Sequence, residues 1–119
     1  MQDSPVSGDG VHVSDLDASG INNEGTWTAI VDVMISDAGQ PVSGVQVDGS
    51  WSLIGSGDTT FSCTTDVAGW CRFTNAGIRK RDGSVIFEVT GVEDSGYNPA
   101  ANSDPDGDSN GSQITVLKP

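Results

Sequence analysis

Basic residues are scarce in this chain: five Lys and Arg stand against seventeen Asp and Glu, for a formal charge of −12. Such a surface repels phosphate backbones and anionic headgroups, so nucleic acid is a poor partner and cations are good ones. No run of about 18 apolar residues occurs, so there is no segment suited to membrane insertion as a helix. A single histidine, His12, and two cysteines leave zinc short of ligands. The same shortage argues against catalysis. One His, three Glu and cysteines expected to be bonded give no nucleophile–base constellation, and nothing raises the pKa of one Asp as a paired acid requires. The chain reads as non-catalytic, and its 119 residues suffice for one core rather than for a two-domain enzyme.

What is present is turn and strand. Gly numbers 16 and hydrophobic residues make up 34%, a composition of short strands joined by many turns. Period-2 alternation marks seven strands: Val11 to Ser14, Thr26 to Ser36, Val42 to Trp51, Thr59 to Thr65, Trp70 to Thr74, Ser84 to Gly91 and Ser112 to Lys118. In the second, Trp27, Ala29, Val31, Val33 and Ile35 share the face expected to be core. Asp37-Ala38-Gly39-Gln40-Pro41, Asp66-Val67-Ala68-Gly69 and Arg81-Asp82-Gly83 read as hairpin links. The expectation is an all-β, immunoglobulin-like antiparallel β-sandwich of about seven strands. It occupies residues 11–119, behind a lead-in over 1–10 that lacks signal-peptide character and reads as a cut made in a longer chain. Asp15 to Gly25 and Gly91 to Gly111 fall outside the rhythm.

Cys63 and Cys71 flank a turn sequence, which favours a local disulfide and an oxidising compartment; the alternative is two buried thiols. If they face each other on adjacent antiparallel strands, they need a close, non-hydrogen-bonded pair. Seven intervening residues make a redox catalyst improbable as a design, since such pairs sit two apart.

The most informative stretch is Asp104-Pro105-Asp106-Gly107-Asp108-Ser109-Asn110-Gly111. Oxygen-bearing side chains recur at every second position, and Ca2+ takes six to eight oxygens (roughly, across its sites) from a loop that Gly allows to curl. Thr115 stands where an EF-hand has its bidentate Glu, so the remaining ligands must come from elsewhere. The one comparable cluster is Asp15-Leu16-Asp17. The expected cation site is therefore Asp15, Asp17, Asp104, Asp106 and Asp108, with Asn110 or backbone carbonyls; Mg2+ suits so flexible a loop less well. The competing reading is a pair of solvated turns.

Several segments together resemble an Ig-like module found near the C-termini of secreted bacterial hydrolases, including subtilisin-like peptidases. They are Val11-His12-Val13-Ser14-Asp15-Leu16-Asp17, Trp27-Thr28-Ala29, Asp37-Ala38-Gly39-Gln40-Pro41-Val42, Gly49-Ser50-Trp51, Ser62-Cys63-Thr64-Thr65-Asp66, Gly77-Ile78-Arg79-Lys80, and Tyr97-Asn98-Pro99-Ala100-Ala101-Asn102. The Gly-Xaa-Pro-Val-Xaa-Gly-Val step and the Thr-Asp-Xaa-Xaa-Gly that follows it also resemble bacterial invasin and intimin Ig-like domains. The resemblance implies an extracellular accessory domain with a calcium site, partnered by an enzyme domain in the same chain. Trp70 departs from the family pattern, which has a polar residue there.

The alternative function is a carbohydrate- or surface-binding module, with Trp70 and Tyr97 as stacking faces for a polysaccharide or cell surface. Trp27 and Trp51 lie within strands and read as core. Arg79-Lys80-Arg81 reads as a solvated hairpin tip, or as a patch docking an acidic surface of the parent enzyme.

Overall fold

The computed structural model describes residues 10–103 and 111–119. Two four-stranded sheets carry the chain. In the first, β2 (Thr26–Asp37) is flanked by β1 (His12–Asn22) on one side and by β6 (Trp70–Arg79) and the two-residue β3 (Gln40–Pro41) on the other. In the second, the order is β5 (Ser62–Thr64), β4 (Gln46–Trp51), β7 (Ser84–Val92), β8 (Gln113–Leu117). Among the described residues every pairing between these strands is antiparallel. The inner faces meet in one core, so the protein is an all-β sandwich.

The alternation read from the sequence sets which face is inside. Trp27, Ala29, Val31, Val33 and Ile35 of β2 are fully buried and face Val47, Trp51, Val85, Phe87, Ile114 and Val116 of the other sheet. Trp51, Phe87 and Phe73 stack through the middle, with ring centroids 4.9 Å apart for Trp51–Phe87 and 4.5 Å for Phe73–Phe87. Each buried indole keeps a partner: Trp27 Nε1 donates to the Asp82 carbonyl at 2.9 Å and Trp51 Nε1 to that of Thr60 at 3.0 Å.

Several expected strand limits move. β1 does not stop at Ser14 but runs on to Asn22, paired with β2 throughout. A register shift between Val13 and Asp15 inserts a bulge at Ser14, which changes parity: Val11 and Val13 face the core before it, Leu16 after it. A reader following strict alternation loses the strand at that point. β6 likewise continues past Thr74 to Arg79 across a second irregularity opposite Trp27 and Ala29. The left-handed Gly77 (φ 73°) sits there, and a Cβ on it would lie 2.5 Å from the Gly57 nitrogen. The expected strand Val42 to Trp51 begins only at Gln46, because Gln40 and Pro41 fold back on β2 through a two-residue turn with positive φ at both Ala38 and Gly39.

The disulfide Cys63–Cys71 forms, with Cα atoms 5.7 Å apart, but not across a hairpin. Cys63 lies on β5 beside Val47 in one sheet, whereas Cys71 lies on β6 beside Val33 in the other. The register that would pair the two cysteines is kept around the Thr59–Asn75 bridge, in the bonds from Thr60 N–H to the Thr74 carbonyl, 2.8 Å, and from Ala76 N–H to the Asp58 carbonyl, 2.9 Å. Beyond it the chain crosses to β4, so the bond joins the two sheets. Asn75 holds that crossing: fully buried, it donates through Nδ2 to the Leu53 carbonyl (2.7 Å) and accepts from Gly55 N–H (2.8 Å) through Oδ1.

Candidate functional site

The described residues of the long segment after β7 dock on the edge of β1. Val11 N–H donates to the Gly96 carbonyl (3.0 Å), Asn98 N–H to the Val11 carbonyl (2.8 Å) and Ser103 N–H to the Val13 carbonyl (2.9 Å). Asn102 fastens the arrangement. Its Oδ1 accepts from Val13 N–H at 2.8 Å, while Nδ2 donates to Tyr97 Oη (2.9 Å) and Ser112 Oγ (3.1 Å). One side chain thus grips β1 and both flanks of the acidic loop. Gly111 completes the closure: a Cβ there would stand 2.5 Å from the Ser103 nitrogen.

Of the expected cation ligands, Asp104, Asp106, Asp108 and Asn110 lie outside the described residues. Asp15 and Asp17 are described, on β1 directly after the point where Ser103 docks. The Ser14 bulge turns both onto the outer face of the first sheet, with Leu16 between them in the core. Asp15 Oδ1 is shielded from solvent. Among the described residues, no group of three or more His, Cys, Asp or Glu converges as a metal site. His12 Nδ1 donates to the Gly10 carbonyl at 2.8 Å.

The outer face of the first sheet carries a second set of groups, which reading by segments kept apart. Strand register places Asp17, Asp32 and Arg72 in one row across β1, β2 and β6, and Asp15, Met34 and Trp70 in the next. Arg72 binds Asp32 in fork geometry, Nε to Oδ1 at 2.8 Å and Nη2 to Oδ2 at 3.1 Å. That hydrogen bond, and then the attraction of the Asp32 charge, holds the guanidinium pKa above its ordinary value. Asp17, Asp32, Asp66, Trp70, Cys71 and Arg72 line a depression of about 490 Å³. Trp70 is half-buried. Its backbone is pinned on both sides by Asp66, whose Oδ1 accepts from Trp70 N–H (3.0 Å) and whose own N–H donates to the Trp70 carbonyl (2.9 Å).

Tyr97, the other aromatic expected to stack on a ligand, is half-buried against the core, and its hydroxyl accepts from Asn102. Arg79, Lys80 and Arg81 are exposed at the β6–β7 turn, and Lys118 joins them, its Nζ donating to the Lys80 carbonyl at 3.2 Å. With Arg72 paired to Asp32, the other four basic side chains therefore gather at one end of the sandwich. Sequence reasoning missed Asn102 and the Asp32–Arg72 fork. The first was signalled only by an Asn-rich loop, and the second only by register. No protein-family model, curated protein or solved structure matches the chain.

Proposed function

We propose that the chain is a calcium-stabilised, Ig-like accessory domain of a larger secreted bacterial protein, a hydrolase by its resemblance, with no catalytic role of its own. The observation that carries this reading is the Asn102 clip. It draws Ser103 and Ser112, on either side of the Asp104–Asn110 stretch, to Val13, two residues before Asp15. In this reading the oxygens of that stretch join Asp15 and Asp17 around a hard cation, which would offset the mutual repulsion of the carboxylates. The Cys63–Cys71 bond supports an oxidising, extracellular setting.

In this reading calcium acts through linkage. Binding the folded form alone, it stabilises by RT ln(1 + [L]/Kd), about 2.7 kcal/mol at a hundredfold excess over Kd. It fastens β1 to the segment before β8 and so gives the parent enzyme a rigid neighbour. The test is thermal unfolding of the oxidised protein in EDTA, in Ca2+ and in Mg2+. A rise specific to Ca2+ that vanishes in Asp106→Ala, with the apo fold retained, is the expected result. An equal rise in that variant, or none in the parent protein, overturns the reading.

A further inference from the structure

We propose that the depression at Trp70, on the outer face of the first sheet, binds a neutral saccharide. This goes beyond the calcium reading and shares only Asp17 with it. A pyranose has an apolar face of C–H groups and a rim of hydroxyls that both donate and accept. Its recognition calls for a flat aromatic surface beside polar groups of both kinds. Trp70 supplies the surface. Two residues along the same face of β6, Arg72 supplies N–H donors, and Asp32 and Asp17 supply acceptors in line with it across the strands.

The site is built before any ligand arrives. The guanidinium is fixed in its plane by both Asp32 oxygens, the Trp70 backbone by Asp66, and the adjacent Cys71 by its bond to Cys63. Little ordering cost is then left for binding to meet. The depression of about 490 Å³ falls within the range of small-ligand sites, roughly 300–1,000 Å³.

Charge selects the class of sugar. Three aspartates around one arginine, on a chain of net charge −12, oppose a uronate or a sulfated glycan. A cation stacked on the indole would meet Arg72 on the same strand face. A neutral polyol suffers neither repulsion.

The experiment is affinity electrophoresis of the oxidised protein through gels cast with hydroxyethylcellulose, xylan or galactomannan, with alginate as the anionic comparison, in Ca2+ and again in EDTA. At least one neutral polymer is expected to retard the protein. Trp70→Ala should weaken that retardation by about tenfold or more, Trp70→Phe should keep most of it, and the calcium-dependent melting shift of Trp70→Ala should match the parent's. No retardation by any neutral polymer, stronger retardation by alginate, or full retention in Trp70→Ala each overturns the proposal. Should Trp70→Ala lose its fold, Arg72→Met gives the same reading: undiminished retardation in that variant sinks the site.

Discussion

Gly49 is the floor on which the Phe87 ring rests: a Cβ at position 49 would come within 2.3 Å of Phe87 Cζ. The ring is hemmed in by Trp51 and Phe73, whose ring centroids lie 4.9 and 4.5 Å from its own. Gly49→Ala is therefore expected to overpack the centre of the core and to destabilise the protein by roughly 1 to 3 kcal/mol. Urea unfolding measures it, and a loss below a few tenths would show that the ring has room to shift.

The disulfide closes a ring between residues eight apart in sequence. In the chain-entropy account such a closure contributes roughly 2 to 3 kcal/mol. The double variant Cys63→Ser with Cys71→Ser should lose about that much in denaturant unfolding, while reduction of the parent protein reproduces the loss. Equal stability of the reduced and oxidised forms would contradict the prediction.

Glu93 and Asp48 face each other at the β4–β7 edge. A hydrogen bond that the protonated Glu93 carboxyl donates to Asp48, and then repulsion between the two charges, holds the Glu93 carboxyl above the usual carboxylate range. A raised folded-state pKa means that the native form holds the proton more tightly than the unfolded chain does. The stabilisation is present at low pH and is lost as pH rises through the Glu93 pKa. Glu93→Gln keeps a hydrogen-bonding group without the charge. It is expected to gain stability relative to the parent near pH 7 and to lose that advantage near pH 4. Denaturation midpoints at both values check the sign, and an advantage that grows on acidification reverses the argument.

How much of this was legible in the sequence depends on parity. Where strand parity holds, as from Trp27 to Ile35 and from Val85 to Val89, the pattern names the core face residue by residue despite Ile30, Met34 and Ile86 on the other face, and the structure agrees. Where a bulge adds a residue, as at Ser14, the same pattern goes silent although the strand continues. The second half of β1 was invisible for that reason, and with it the fact that Asp15 and Asp17 share a sheet face with Trp70. Cysteine spacing foretold the bond but not its route. Strand exchange between sheets leaves local register intact at Thr59 and Asn75, and depends on a buried asparagine that looks like any turn residue in a string of letters. Asn102 is a similar case: its three contacts reach back to Val13 and out to Tyr97 and Ser112, and only the fold brings them together.

The cross-sheet bond also makes the two sides of the sandwich unequal. At the β5–β6 margin the sheets are covalently tied. At the opposite margin β1 and β8 meet without a covalent tie, with the space over Gly20 filled by Pro119. The molecule is bound like a book along one spine, so any opening that spares the disulfide must swing from that spine and part β1 from β8 first. The margin that opens first is also the one where Asn102 bonds Val13 and Ser112, which makes that side chain the latch of the domain.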